Sequence, residues 1–142
     1  MTDSSKLSPL PEIRFRTTIA SSKENVWQAV ATAEGLGAWF MPNDLEPIEG
    51  YRFHLNAAAF GKSPCEVTEV ESERRFAFRW GKDWTLAFEI EEAEGGTEVT
   101  LIHSGWDSSK STEFGAPHTQ VRETMEQGWS KLILALKSYV EK

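Results

Sequence analysis

The sequence predicts an α+β domain in which a curved, antiparallel six-stranded sheet wraps around a long C-terminal helix. Six segments alternate polar and apolar residues with a period of two, which is typical of strands with one buried face. Residues from about 119 to 141 repeat apolar side chains at helical spacing. Short turns join the later strands, so neighbouring strands run antiparallel. The apolar faces of the sheet and the helix must then be buried against each other.

The length of 142 residues fits one domain, and residues 13–142 are expected to form it. Residues 1–12 contain Pro9 and Pro11 and predict a flexible lead-in. The chain carries six Trp and eight Phe, and most of these large side chains need burial. A domain of this size buries about 68–70% of its unfolded surface, so it can form such a core without disulfides.

The first strand and two short helices are predicted at the start of the domain. Residues 13–19 alternate and predict a strand. Ser21 and Glu24 have the spacing of a capping box, which predicts a helix start. Gly35 is expected to end this helix, and a second, short helix is expected over residues 36–40.

The middle of the chain reads as an antiparallel meander. The five predicted strands cover residues 51–57, 65–70, 75–80, 84–91 and 97–104. Val70 falls out of phase with Cys65 and Val67, which indicates a β-bulge. A strongly twisted sheet packed on a helix leaves a wedge between them, and such a wedge is a natural ligand site.

The predicted wedge is the candidate site for a small hydrophobic ligand. Its apolar walls and mouth are expected to consist of Trp39, Phe40, Phe53, Leu55, Phe78, Trp80, Leu86, Phe88, Leu101, Trp106, Met125, Trp129 and Leu132. Trp80 and Trp129 are expected to face each other across it. Phe114 is expected at the mouth, and the 105–118 loop could act as a gate. Such side chains either fill a solid core or line a cavity, and the sequence leaves both readings open.

His103 is the polar residue expected in the wedge, because it alternates with Val99 and Leu101. A neutral imidazole there could donate to a ligand carbonyl or act as an acid or base. Alternatively, it could be tied to a backbone carbonyl and support the turn that follows. The sequence places no carboxylate or nucleophile beside it, so no catalytic residue is assigned.

Metal and cofactor sites are not expected. His54, His103, His118 and Cys65 do not fall at ligand spacing, and His54 should face away from the wedge. No phosphate-binding glycine loop or redox cysteine pair occurs. Cys65 is expected to be a small buried hydrophobe. The polar residues near the start of the last helix, Glu113, His118 and Glu123, could add polarity at the entrance of the wedge, but they are expected on the solvated surface.

Composition excludes several classes of partner. The net charge is −7, and no Lys/Arg run offers the basic face that nucleic acid or an anionic membrane requires. No apolar run approaches the roughly eighteen residues of a membrane span, so integral membrane association is not expected. The N-terminus lacks the pattern of a secretory signal, and Cys65 is the single cysteine. We therefore expect a cytoplasmic protein.

Seven short motifs occur in a recognisable order along the chain. They are Val26–Trp27, Trp39–Phe40, Gly50 with Phe53, Phe78–Trp80, Gly95–Thr97, His103–Trp106 and Gly128–Trp129. Together they resemble the START-like superfamily, also called SRPBCC or Bet v 1-like. Within it they are most similar to the branch named after the activator of heat-shock protein 90 ATPase homologues. The resemblance extends from Ile13 to Val140.

The resemblance implies a helix-grip fold with a cavity between the sheet and the last helix. Members of the superfamily bind lipids, polyketides, hormones or other apolar molecules, and a minority are cyclases or hydroxylases. The eukaryotic namesake is a co-chaperone with an additional N-terminal domain, for which this chain has no room. We therefore expect a binding protein for a small hydrophobic or aromatic ligand, without a cofactor and with a physiological role that could be stress-related.

Two alternatives remain open at this point. The first is an enzyme of the cyclase or hydrolase type that uses His103. The second is a chaperone-associated module that binds proteins through its outer surface. That second role needs an exposed apolar patch on the outer sheet face, where the pattern shows little beyond Ile102. The chain is expected to be a monomer or a weak homodimer.

Overall fold

A computed structural model describes residues 9–56, 62–112 and 115–142. The elements in chain order are β1 (Ile13–Ile19), α1 (Lys23–Val30), α2 (Ala33–Trp39), β2 (Arg52–Asn56), β3 (Lys62–Glu71), β4 (Arg75–Trp80), β5 (Trp84–Ala93), β6 (Gly96–Ser104) and α3 (His118–Glu141). Glu113 and Phe114 lie outside the described residues, as does most of the predicted lead-in. From Pro9 onwards the chain is described, and the Leu10 N–H donates to the Trp106 carbonyl at 3.0 Å.

The strands form one antiparallel sheet in the order β1-β6-β5-β4-β3-β2. The first strand pairs with the last, so β1 and β2 occupy opposite edges of the sheet. The two short helices between them connect these edges, and α1 packs on β5, β6 and α3. The predicted α+β helix-grip architecture, with a long C-terminal helix against a curved sheet, is confirmed.

The predicted β-bulge lies in β3. Val67 pairs with Phe78 and Glu69 pairs with Ala77, so the register shifts between Val67 and Glu69. A bulge bends its strand and increases the local twist. It also brings Val70, which the simple alternation placed out of phase, back against the core.

The N-terminus of α1 begins one residue later than its capping box predicted. Ser22 is the N-cap, and its Oγ accepts a hydrogen bond from the Asn25 backbone N–H at 3.1 Å. The Ser21 Oγ instead accepts from the Asn25 side-chain amide at 2.8 Å. Two adjacent serines compete for the same cap, and the sequence does not distinguish them.

The prediction that Gly35 ends α1 is wrong, because α1 ends at Val30 and Gly35 lies in the first turn of α2. Its N–H donates to the Thr32 Oγ1 at 3.0 Å, which caps that helix. A Cβ at Gly35 would lie 2.0 Å from the Gln28 carbonyl oxygen. The glycine is therefore required by the close approach of α2 to α1 rather than by a helix end.

The long helix is amphipathic, as predicted. Trp129, Ile133 and Leu136 are buried against the rest of the core, whereas Lys131 and Ser138 are exposed. α3 packs on β1, α1 and α2. The apolar face of α3 is thus buried in the same core as the inner face of the sheet.

The outer face of the sheet is less exposed than the alternation indicated. Ile102 is only 7% exposed, because it forms a small cluster with Ala77 and Ala87. Arg75 forms ion pairs with Glu69 and Glu89. The expectation of an exposed Ile102 is therefore wrong, and this strand face offers no patch at that position.

Candidate functional site

The described structure brings the predicted wedge residues together between the sheet and α3. Those that are buried are Trp39, Phe53, Leu55, Phe78, Trp80, Leu86, Phe88, Leu101, His103, Trp106 and Trp129. Phe40, Met125 and Leu132 are partly buried and pack against the same core. The three half-buried side chains come from the end of α2 and from α3, so the rim of the wedge lies between these two helices.

Phe40 occupies the space between the two tryptophans that were expected to face each other. Its ring centroid lies 5.8 Å from that of Trp80 and 5.0 Å from that of Trp129. It also stacks on Trp39 at 5.6 Å. Phe40 directly follows α2, so the end of this short helix supplies the ring that separates sheet from helix at this point.

His103 also bridges Trp80 and Trp129, but through different interactions. Its ring stacks on Trp80 with centroids 5.2 Å apart, and its Nδ1 accepts a hydrogen bond from the Trp129 Nε1–H at 2.9 Å. Below it, the Trp106 Nε1–H donates to the His103 carbonyl at 3.0 Å. The expectation of an inward-facing imidazole holds. Its partner, however, is an indole N–H rather than the backbone carbonyl considered above.

Burial keeps the His103 imidazole neutral. Desolvation lowers its pKa from 6.5 to about 3, and the nearby His118 and Arg122 act in the same direction. Because Nδ1 accepts from Trp129, the single ring proton of the neutral form lies on Nε2. The His103 side chain therefore presents a hydrogen-bond donor on its Nε2 side.

His118 is fully buried, and the expectation that it lies on the solvated surface is wrong. Its Nδ1 accepts from the Asp107 backbone N–H at 3.1 Å, and its Nε2 lies 3.6 Å from the Asp83 Oδ2. The backbone N–H of His118 donates to the Lys110 carbonyl at 3.0 Å, and this bond holds the preceding loop against the start of α3. Burial lowers the pKa of His118, although the Asp83 and Asp107 carboxylates oppose this effect.

Trp84, at the start of β5, is a further member of the site that the sequence reading left out. Its ring centroid lies 4.9 Å from that of His103, 4.7 Å from that of Trp106 and 5.9 Å from that of His118. Its alternation with Leu86 already placed it on the inner face. The alternation alone would have justified including Trp84 among the predicted wedge residues, from which it was omitted.

Four buried polar atoms in this region have no hydrogen-bond partner among the described residues. They are Asp83 Oδ2, Trp84 Nε1, His103 Nε2 and His118 Nε2. We call Asp83, Trp84, His103 and His118 the polar cluster. An unsatisfied buried donor or acceptor costs about 1–3 kcal/mol, so four in one place require a physical reason.

Comparison with known proteins identifies the family of this domain. The family model described as activator of Hsp90 ATPase homolog 1-like protein matches residues 20–141. The chain belongs to this family. None of the curated proteins matches it.

Solved structures of related proteins share the fold. The solution structure of Bacillus halodurans protein BH1534 is 39% identical with a TM-score of 0.84, covering 95% of this chain and 99% of that one. The Mesorhizobium loti protein MLL2253 is 20% identical with a TM-score of 0.78, covering 90% and 95%. The solution structure of the Aha1 dimer from Colwellia psychrerythraea is 23% identical with a TM-score of 0.73, covering 93% and 97%.

In this member of the family, two surface depressions of about 220 Å³ and 380 Å³ lie away from the wedge. They are lined mainly by polar residues such as His54 and Lys62 in one, and Arg52 and Arg79 in the other. Within residues 9–56, 62–112 and 115–142, no three His, Cys, Asp or Glu side chains form a group that could hold a metal ion. No helix of the described chain is long and apolar enough to cross a membrane.

Proposed function

We propose that this domain binds a small hydrophobic or aromatic ligand in the wedge between the sheet and α3. The observation that carries the proposal is His103. Its side chain is fully buried among aromatic rings, and its Nε2 has no partner in the described structure. Aromatic side chains alone are as well suited to a solid core. A buried imidazole with an unpaired N–H, in contrast, destabilises a solid core, whereas in a ligand site the same N–H can bind a polar atom of the ligand.

Ligand entry is proposed at the rim formed by Phe40, Met125 and Leu132. These side chains are only partly buried, in contrast to the sheet residues beneath them. Displacement of the Phe40 ring would expose the facing surfaces of Trp80 and Trp129, which it now contacts. A flat aromatic ligand could then take the place of that ring.

The available surface limits the affinity. Burial of about 150 Å² of apolar ligand surface is worth roughly 4 kcal/mol at about 25 cal/mol per Å². The loss of ligand freedom and the displacement of Phe40 offset part of this gain. We therefore expect micromolar affinity at best for a ligand that makes no polar contact.

Binding is favoured over catalysis by the state of His103. With a pKa near 3, the imidazole is a weak base at neutral pH, and its Nδ1 is already engaged by Trp129. No hydrogen bond joins it to a carboxylate in the described structure. This arrangement suits a fixed donor more than a group that exchanges protons during turnover.

A protein-interaction role is a second candidate, supported by exposed apolar side chains on α3. Leu134 is 59% exposed and Tyr139 is 36% exposed. Because these two residues lie about 140° apart round the helix, they do not share one face. We infer that a chaperone-associated or weakly homodimeric interaction, within the cytoplasm, would use the face of α3 that carries Leu134. Light scattering over a range of concentrations would detect self-association. Its loss in Leu134→Ser would support this face, and an unchanged dimer would exclude it.

The ligand-binding proposal is tested with diphenylmethane, an apolar probe that has no hydrogen-bonding group. We expect it to shift the indole N–H resonances of Trp80 and Trp129 saturably and to raise the melting temperature, because it binds only the folded state. Met125→Trp should fill the rim and abolish both effects. Leu134→Trp introduces the same side chain on the exposed face of α3 and should leave both unchanged.

The result that would overturn the proposal is equally specific. If no saturable shift occurs, and Met125→Trp destabilises the fold by about 1–3 kcal/mol, the wedge is a solid core that the substitution overpacks.

A further inference from the structure

We propose that the polar cluster is a subsite for the hydrogen-bond acceptor of the ligand, a carbonyl or ether oxygen on a neutral aromatic compound. This inference rests on the proposed function and adds the chemical class of the ligand. It concerns residues at the end of the wedge where β5, β6 and the start of α3 meet, which are Asp83, Trp84, His103 and His118.

The polar cluster contains more hydrogen-bond donors than acceptors. The Nδ1 of His103 accepts from Trp129 and the Nδ1 of His118 accepts from Asp107, so each neutral ring carries its proton on Nε2. The indole of Trp84 can only donate. Three N–H groups therefore stand against one acceptor, the Oδ2 of Asp83.

That one acceptor is oriented towards His118 rather than towards the other two donors. Asp83 Oδ2 lies 3.6 Å from the His118 Nε2, and its Oδ1 lies 3.2 Å from the Lys110 Nζ. The N–H groups of Trp84 and His103 remain without an acceptor in the described structure. A ligand oxygen is the kind of atom that would satisfy them.

The two donors belong to rings in direct contact. Trp84 and His103 pack edge to face with centroids 4.9 Å apart, and Trp106 packs on both, at 4.7 Å and 4.6 Å. The Nε1–H of Trp106 does not compete for the same acceptor, because it donates to the His103 carbonyl at 3.0 Å. The two free N–H groups therefore belong to neighbouring side chains of one aromatic cluster.

The surroundings favour a neutral acceptor over a charged one. A ligand ammonium group would meet the two free N–H donors, and the one carboxylate of the cluster, Asp83, already faces Lys110 and His118. A ligand carboxylate would be buried near Asp83, whose charge is already shared between Lys110 and His118. Burial of an unpaired charge is far more costly than burial of a hydrogen-bonded carbonyl.

The test compares two probes that differ by one group. Benzophenone and diphenylmethane have the same two rings, joined by a carbonyl in the first and a methylene in the second. We expect the folded protein to bind benzophenone roughly three- to tenfold more tightly, the difference that one net hydrogen bond produces. The Trp84 indole N–H resonance should shift with benzophenone and remain unchanged with diphenylmethane.

Two matched variants locate the effect. Trp84→Phe removes a free N–H and should reduce the preference for the ketone to twofold or less. Trp27→Phe makes the same exchange of rings on α1, where Trp27 packs on Phe76 outside the predicted wedge residues, and the preference should remain. The Trp84 resonance of the unmodified protein gives the same answer if either variant fails to fold.

The possible outcomes separate this inference from the proposed function. Equal affinity for both probes, with the Trp84 resonance unmoved, would overturn the subsite while leaving the apolar site intact. That outcome would mean that the donors serve an ordered water only. Failure of both probes to bind would overturn the proposed function and the subsite with it.

Discussion

His103 couples the chemistry of the site to the stability of the domain in acid. The folded state holds this imidazole neutral down to a pH of about 3, whereas the ordinary value is 6.5. Between these values the unfolded chain binds a proton that the folded protein does not. The stabilising effect of a neutral His103 is therefore complete above about pH 6.5 and is lost progressively as the pH falls towards 3.

We predict that this linkage can be measured by urea unfolding at about pH 7.5 and about pH 5. The free energy of unfolding should fall by about 2 kcal/mol from His103 alone, since each pH unit below 6.5 contributes about 1.4 kcal/mol. His103→Gln keeps an acceptor for Trp129 and cannot titrate, so it should lose less stability over the same range. His118, whose pKa is also lowered, acts in the same direction in both proteins. An identical pH dependence would show that His103 is not held neutral.

Alternation predicted the inward orientation of individual strand residues well. It placed His103 with Val99 and Leu101, and all three are fully buried. It could not provide the partner of His103, because Trp129 lies on a different element, 26 residues away. His118 was misjudged because it follows a loop with glycine and proline, where no periodicity shows which side chains turn inward.

The elements were predicted with different success for physical reasons. Every strand was located, because a period of two persists wherever one face of a sheet is buried. The boundary between α1 and α2 was misplaced, because it depends on contacts between the helices and not on local propensity. Gly35 shows this directly. It resembles a helix terminator in the sequence and is a packing requirement in the fold.

Gly35 and Gly37 in the same helix allow that difference to be tested. We predict that Gly35→Ala destabilises the domain by about 1–3 kcal/mol or more, because the new Cβ would lie 2.0 Å from the Gln28 carbonyl oxygen. At Gly37 the nearest atom to a Cβ would be 3.7 Å away, so Gly37→Ala should be neutral or stabilise by up to about 1 kcal/mol. Thermal or urea unfolding measures both. Equal effects at the two positions would mean that α1 and α2 do not approach this closely.

At the scale of the whole molecule, the site lies where three layers meet. The sheet contributes Trp80 and His103, α3 contributes Trp129, and the end of α2 inserts Phe40 between them. The order of strands and helices predicted the sheet and α3 as the two walls. The insertion of Phe40 was not predictable, because it depends on how α2 is turned against α1.

The position of Phe40 leads to a prediction about access to the wedge. If its ring occupies the place of a ligand, then Phe40→Ala should lower the stability and raise the affinity for diphenylmethane at the same time. We expect a loss of about 1–3 kcal/mol, less than for a fully buried phenylalanine because Phe40 is partly exposed. The affinity should rise by about tenfold, since the ligand no longer has to displace the ring.

Phe15 on β1 provides the matched control, because it is also a half-buried phenylalanine packed against the core. Phe15→Ala should reduce the free energy of unfolding without strengthening the binding of diphenylmethane, as its ring makes no described aromatic contact with Trp80 or Trp129. Unfolding in urea and titration by indole N–H resonances give the two quantities for each variant. Weaker binding by Phe40→Ala would make Phe40 a wall of the site. Stronger binding confined to this variant would make it the ring that closes the wedge, and α2 the element that has to move when a ligand enters.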